Sequence, residues 1–361
     1  MKILIDATSL LLRSAGIKNY TYHWLKALQA RAPGRFDAYP FIDELGKLNH
    51  DGSNLPMYAT LPRIAALQIF NRVLTKGLDR ITAQYDLFHV SNQVKRPPLK
   101  TRVSATIHDL TCWILPETHT ATNRAADRLF ADRVLKKASG LIAVSENTRQ
   151  DAIRMLDIHP HKIRTIYSGV PDAYFDAAPA QRAKPYLLYA GTIEPRKNVD
   201  LLLSAYRTLH PDLLEQYDLV IAGPQGWHSD ETMRMLRSGT MKSVHYLGYV
   251  PEAEMPGLFA GATAFVYPSL YEGFGFPVAQ AMAARVAVIT SNTSCLPEVA
   301  GNGAMTVDPR SRAELTKAIT TMLEHPMLRN QLAEKGRLRA ELFRWKLCAE
   351  QSIEFFDELL G

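Results

Sequence analysis

YLLYAGTIEPRKN, residues 186–198, opens as a short apolar run and closes on two adjacent cations. The opening reads as a buried β-strand that ends at Gly191. A helix is expected to begin near Asn198, which leaves Arg196 and Lys197 in the strand-to-helix turn. A helix N-terminus carries partial positive charge and free N–H donors. Arginine adds a planar fork for phosphate oxygens and lysine a point charge. The turn therefore suits a diphosphate, although two cations in a solvated turn would read the same way.

The same alternation of strand, loop and helix extends in both directions. Downstream come DLVIAG (218–223), VHYLG (244–248), AFVYPS (264–269) and AVITSN (287–292). Upstream come KILIDAT (2–8), DLFHVS (86–91), RVSATIHDL (102–110) and GLIAVS (140–145). Ile17, Tyr20, Trp24, Leu25 and Leu28 mark one face of a helix after the first strand. Such alternation predicts a parallel sheet in each half, an α/β protein with two Rossmann-like domains. The length of 361 residues fits two domains. The stretch 171–185, PDAYFDAAPAQRAKP, holds three prolines and no periodic apolar pattern and is read as the linker. The expected boundaries are 1–170 for the first domain and 186–342 for the second, with a C-terminal helix near 343–361.

In open parallel sheets ligands sit beyond the carboxyl ends of the strands. YPSLYEGFGFPVAQAM, 267–282, is such a strand-to-helix turn. Gly273 and Gly275 allow close backbone approach, and Glu272 can accept from sugar hydroxyls. A tight turn with a capping carboxylate is the plainer reading of the same residues. RVSATIHDL ends in His108, placed to face a ligand or simply packed. LLRSAGIKNY, 11–20, puts Gly16 before a helix, either a second phosphate-facing turn or an ordinary βα loop.

Three widely spaced cysteines, Cys112, Cys295 and Cys348, point away from a zinc site or disulfide framework and suit a reducing cytoplasm. No apolar run reaches a membrane-spanning length. The net charge of +6 is unevenly spread. Residues 1–170 carry 24 Lys+Arg against 14 Asp+Glu, while the rest carry 18 against 22. The basic half is either an ordinary soluble surface or meets phosphates, on an anionic membrane or a lipid-linked acceptor. No aromatic-plus-basic motif indicates nucleic acid. Within 61–78, LPRIAALQIFNRVLTKGL, apolar residues at helical spacing lie among Arg63, Arg72 and Lys76. That segment either packs on its own sheet or lies on an anionic membrane surface at the inner face of the cell membrane. Asp-x-Asp is absent, so no metal site and no cofactor are expected.

In order, HDL, AVSENT, YAGTIEPRKN, LGYVP, YPSLYEGFGFPVAQAMA and TSNTSCLPEVAG resemble the retaining glycosyltransferases of family four, the group 1 enzymes of GT-B fold. The resemblance runs from Lys2 to about Leu360, and its wording is most like bacterial mannosyl- and rhamnosyltransferases of polysaccharide assembly. It implies two Rossmann-like domains facing a central cleft. It implies transfer of a hexose, with GDP-mannose as first choice of donor, to a saccharide or lipid-linked acceptor. Arg196 and Lys197 would hold the diphosphate, and Gly16 would lie close to it. Glu272 would bind a sugar hydroxyl beside the backbone N–H groups of Gly273, Phe274 and Gly275. His108 would lie near the reactive carbon, and Gly248, Tyr249 and Val250 near the base. Where the family commonly has a second glutamate for the ribose, this chain has Gln280, and AARVAVIT (283–290) lacks the usual Cys-Gly and Pro. Those departures keep open a silent sugar-nucleotide-binding homologue, and a rhamnosyl- or UDP-sugar-dependent transferase. An epimerase or phosphorylase shares the architecture but not the EPRKN and YEGFG wording.

Overall fold

Apart from VHYLG (244–248), which forms a partly exposed edge strand, the apolar runs form central strands that are mostly buried on both sides, as expected for parallel sheets covered by helices. The computed structural model describes residues 1–11, 16–41, 75–91 and 94–361, together with Ala65 and Ile69. Most of the basic segment 61–78, and residues 12–15 before Gly16, lie outside the described residues. The chain divides into two units, one of Met1–Gly169 with Trp345–Gly361 and one of Val170–Arg344.

In the first unit the strands are β1 (Ile3–Asp6), β2 (Phe36–Tyr39), β3 (Leu87–Val90), β4 (Arg102–Ile107), β5 (Gly140–Ala143) and β6 (Ile163–Thr165). They form one parallel sheet in the order β2-β1-β3-β4-β5-β6. Before residue 170, its described helices of eight residues or more are α1 (Gly16–Arg31), α2 (Thr75–Thr82), α3 (Ala121–Arg133) and α4 (Glu146–Leu156). Ser145 starts α4 by accepting from the Thr148 N–H at 3.1 Å, a side-chain cap on an otherwise unpaired donor.

The second unit holds β7 (Tyr186–Ala190), α5 (Val199–Tyr206), β8 (Asp218–Ala222), α6 (Asp230–Arg237), β9 (Val244–Gly248), β10 (Ala264–Tyr267), α7 (Phe276–Ala283), β11 (Val288–Ser291), β12 (Ala304–Val307), α8 (Arg312–Glu324) and α9 (Pro326–Ala340). Its sheet is also parallel, in the order β12-β11-β10-β7-β8-β9. The proline-rich stretch 171–185 packs on this unit. Tyr174 meets Phe259 edge-on at 5.5 Å, and the Ala180 N–H donates to Gly257.

The last helix, α10 (Trp345–Leu360), returns to the first unit and packs along α1. The Trp24 indole donates to Ser352 Oγ at 3.0 Å, and Phe356 lies against Trp24, Phe36 and His89. Gly140 leaves room for this helix, since a Cβ there would fall 2.9 Å from Phe355 Cζ. Arg31–Glu350, Arg35–Asp357 and Arg164–Glu358 pair along its rim.

β2, β6 and β12 have no counterpart among the runs read as strands. All three are edge strands. In β6 and β12 most residues are only partly buried, so no continuous apolar run marks them.

The loop after β7 is held by the loop after β8. The Gly191 N–H donates to Ala222, Ile193 to Pro224 and Gly226 back to Ile193, each at 2.9 Å. The two backbones approach so closely that a Cβ on Gly223 would stand 2.0 Å from the Gly191 carbonyl oxygen, and Gly223 has φ +141°. Gly223→Ala combines backbone strain with a clash and should destabilise the protein by about 3 kcal/mol. Urea unfolding of the two proteins measures this directly, and equal midpoints would show that the loops can part without cost.

Candidate functional site

The second sheet has its switch point between β7 and β10. These strands are neighbours, yet the chain continues from β7 toward β8 and from β10 toward β11, on opposite sides. The diverging connections leave a crevice at the carboxyl ends of the two strands. The loops that follow them carry Arg196, Lys197 and Glu272.

Pro195–Lys197 forms one 3₁₀ turn, and Asn198 then takes the left-handed conformation, φ 59°, as the cap of α5. Its amide donates to the carbonyls of Pro268 (3.0 Å) and Pro309 (2.7 Å), tying the turn to the loop after β10. The Leu270 N–H donates to the Arg196 carbonyl at 2.8 Å. Arg196 and Lys197 are thereby aimed at Glu272. Arg196 Nη1 is 3.0 Å from one Glu272 oxygen and donates to the Tyr271 carbonyl at 2.7 Å. Lys197 Nζ donates to the other oxygen at 2.5 Å and to Tyr267 Oη at 2.7 Å. Ser269 Oγ and Tyr267 Oη also donate to Glu272, at 2.7 and 2.9 Å. Arg196 Nη2 is 2.7 Å from Glu194, itself buried.

Glu194, Arg196, Lys197 and Glu272 thus form a cluster of zero formal net charge, its two carboxylates buried and its two cations largely so. Burial raises the Glu272 carboxyl, but Arg196 and Lys197 outweigh it and hold it at about 2. Burial and the Arg196 charge push the Lys197 ammonium below its ordinary value, against the pull of Glu272 and Glu194.

Residues 172–339 match the family described as glycosyl transferases group 1, and residues 15–174 that described as Glycosyltransferase Family 4. Over 269 residues the chain is 32% identical to an O-antigen chain mannosyltransferase B of Escherichia coli, covering 72% of this chain and 71% of that one. The chain belongs to glycosyltransferase family 4. It is also 28% identical over 239 residues to the serotype-specific mannosyltransferase WbdA of E. coli, covering 62% of this chain but only 29% of that longer one. Among solved structures, a sucrose-phosphate synthase from Thermosynechococcus elongatus superposes with a TM-score of 0.76 at 19% identity, over 99% of each chain. Anabaena HepE in complex with UDP-glucose gives 0.73 at 18%, over 99% of this chain and 100% of that one. These likenesses show the GT-B fold.

The other anticipated residues of this glycosyltransferase fall into separate groups. Gly273, Phe274 and Gly275 follow Glu272 directly, all buried. Gly275 caps α7 with φ +84°, a left-handed backbone that favours glycine, and a Cβ there would also press on Leu296 Cδ2 at 2.8 Å. Gln280 is buried one turn on, in α7. Gly248 ends β9 with φ +68° and open space around it, followed by half-buried Val250 and a Tyr249 that is 58% exposed. A Cβ on Gly16 would likewise meet none of the described residues within 4 Å.

His108 follows β4 in the first unit. It is half-buried, with Nε2 3.2 Å from Ser91 Oγ and its ring edge-on to Tyr20 at 4.9 Å. Burial lowers its pKa to about 4, although Asp109 favours the charged form, so the ring is neutral near pH 7. Deeper in the sheet His89 has both nitrogens engaged, by Ser104 and Thr106 at 2.8 Å each, and burial drops it to about 3.

Sequence reasoning passed over Glu194, Tyr267, Ser269 and Asn198. All four stand inside the two motif runs, but only the fold shows which of their side chains turn toward Glu272. Lys18, buried in the first turn of α1, was also passed over, because a lysine on an amphipathic helix reads as surface.

Glu272→Gln would leave two largely buried cations short of their carboxylate. Breaking a buried pair costs about 3–5 kcal/mol, and a loss of that size is expected at pH 7 in urea unfolding. With the folded carboxyl at about 2 and the ordinary value at 4.5, this stabilisation is complete above 4.5 and fades as pH falls toward 2. The gap between wild type and variant should therefore narrow across that window. A gap already below about 1 kcal/mol at pH 7 would mean that the cations do not depend on Glu272.

Proposed function

We propose that this protein transfers mannose from GDP-mannose to a saccharide or lipid-linked saccharide acceptor during polysaccharide assembly, with retention at the anomeric carbon and without a metal. The carrying observation is the Arg196–Lys197–Glu272 cluster at the switch point of the second sheet. Mannose is favoured by the relatives: the O-antigen chain enzyme at 32% identity, WbdA, and an MMP α-(1→4)-mannosyltransferase of Mycolicibacterium hassiacum.

In this reading the donor diphosphate lies against Arg196 and Lys197 at the start of α5, where Glu272 and Glu194 already hold both cations in place. Charge grows on the leaving diphosphate as the glycosidic bond breaks, and preorganised donors stabilise it there. Glu272 orients the cations through its ion pairs and accepts from a sugar hydroxyl, with the N–H groups of Gly273, Phe274 and Gly275 beside it. Neutral His108 orients the sugar and stabilises positive character at its ring. The acceptor hydroxyl attacks from the face the diphosphate is leaving, and a diphosphate oxygen takes its proton. Gly16 allows close approach to the diphosphate, Gly248–Val250 line the base, and Gln280 accepts from the ribose through its amide oxygen.

The donor is tested by thermal shift with GDP, UDP and dTDP, since a ligand that binds the folded state raises its melting temperature. GDP should stabilise most. A shift with UDP or dTDP alone would replace the proposed donor. Arg196→Ala and Lys197→Ala should each lower turnover by roughly 10²–10³, about 2.7–4 kcal/mol of transition-state stabilisation. Wild-type release of GDP by the double variant would remove the diphosphate assignment.

Turnover should also persist in excess EDTA, because Arg196, Lys197 and a helix N-terminus neutralise the leaving group. Activity abolished by chelation and restored by Mg²⁺ or Mn²⁺ would overturn the metal-free mechanism.

A further inference from the structure

The chain passes between its two units at Gly169–Val170 and again at Arg344–Trp345. Gly169, the last residue before the first passage, lies directly on Trp345, the first after the second. A Cβ on Gly169 would fall 2.4 Å from Trp345 Cδ2 and 2.6 Å from its Cα. The indole is buried, lies nearly parallel to the His23 ring at 5.9 Å and meets Tyr20 edge-on at 5.6 Å. Tyr20, fully buried in α1, meets His108 edge-on at 4.9 Å.

One hydrogen bond, shared with Ser91, does not fix the tilt of an imidazole. The Tyr20 ring packed against it supplies the second constraint, and Tyr20 is in turn held by Trp345. Edge-to-face aromatic pairs carry a preferred geometry, so a shift of one ring is passed to the next. We propose that Tyr20 and Trp345 are positioning residues for His108, and that the Gly169–Trp345 contact at the chain passages sets where the imidazole stands. The proposal rests on the reading of His108 as the group that faces the donor sugar.

The groups around the ring are Asp109 on its own loop, His89 on β3, Ser91 after β3 and Tyr20 on α1. None of the variants below alters Asp109, His89 or Ser91, so a changed His108 titration reports a changed fit against Tyr20. The protein is labelled with ¹³C-histidine and His108 is followed by NMR, in parallel with steady-state kinetics on the full chain. Tyr20→Leu removes the ring edge. Gly169→Ala displaces Trp345 without touching His108. Tyr20→Phe keeps the edge and is the conservative control.

Misplacement by about 1 Å can cost 10²-fold in rate. Tyr20→Leu and Gly169→Ala should therefore lower kcat by roughly 10–100-fold, with donor KM nearly unchanged. Their His108 titration should move up from about 4 toward the ordinary 6.5. Tyr20→Phe should match wild type in both measurements. Trp345→Phe, a smaller ring in the same place, should lie between and serves if Gly169→Ala does not fold. An unmoved His108 titration in Tyr20→Leu overturns the proposal, as does an equal loss of turnover in Tyr20→Phe and Tyr20→Leu. A moved titration with full turnover upholds the positioning and instead removes His108 from the catalytic reading.

Discussion

A crevice at the carboxyl ends of β7 and β10 is the constraint on which the candidate site depends. Right-handed crossovers carry the chain away from these two neighbouring strands in opposite directions. No connection then covers the space between their ends. Every residue of the charged cluster lies in one of the two loops bordering that space. The loops are also fastened from outside the crevice. Asn198 joins one to the other, and the close approach of Gly191 and Gly223 fixes the first of them against the next loop in the sheet.

Within that crevice the physical difficulty is charge. Two adjacent cations at the start of a helix repel each other and the helix end alike. Glu272 divides its two oxygens between them, and Glu194 takes the far side of Arg196. The result is a largely buried arrangement whose members hold one another in place, with Tyr267 and Ser269 donating to the same carboxylate oxygen as Lys197 and the other oxygen left to Arg196. Such a site is costly to assemble and needs little reorganisation afterwards, which is the property electrostatic catalysis requires.

The first unit handles His89 and His108 in the opposite way, by keeping them neutral. His89 is wholly enclosed by two hydroxyls and by α10, and it reads as a structural residue. His108, one strand over and one layer closer to the loops, shares the low pKa but is only half-buried as a residue. A neutral imidazole can donate or accept a hydrogen bond near pH 7 without opposing a nearby positive charge.

The sequence by itself determined the α/β class, the two parallel sheets and the central strands, because strands buried on both faces must be continuous apolar runs. It also marked Arg196, Lys197, Glu272 and His108, since a parallel sheet sends the residues that follow its strands to one end. Edge strands β2, β6 and β12 were not legible. Their pairing comes from a neighbouring strand, and segments of three or four residues, partly exposed in β6 and β12, carry little pattern of their own. Nor could sequence show that Glu194 neutralises Arg196 two positions away, that Lys18 is buried, or that Trp345 reaches Tyr20 across more than three hundred residues. Those facts depend on side-chain direction and on contacts between distant segments, which only the packed tertiary structure decides.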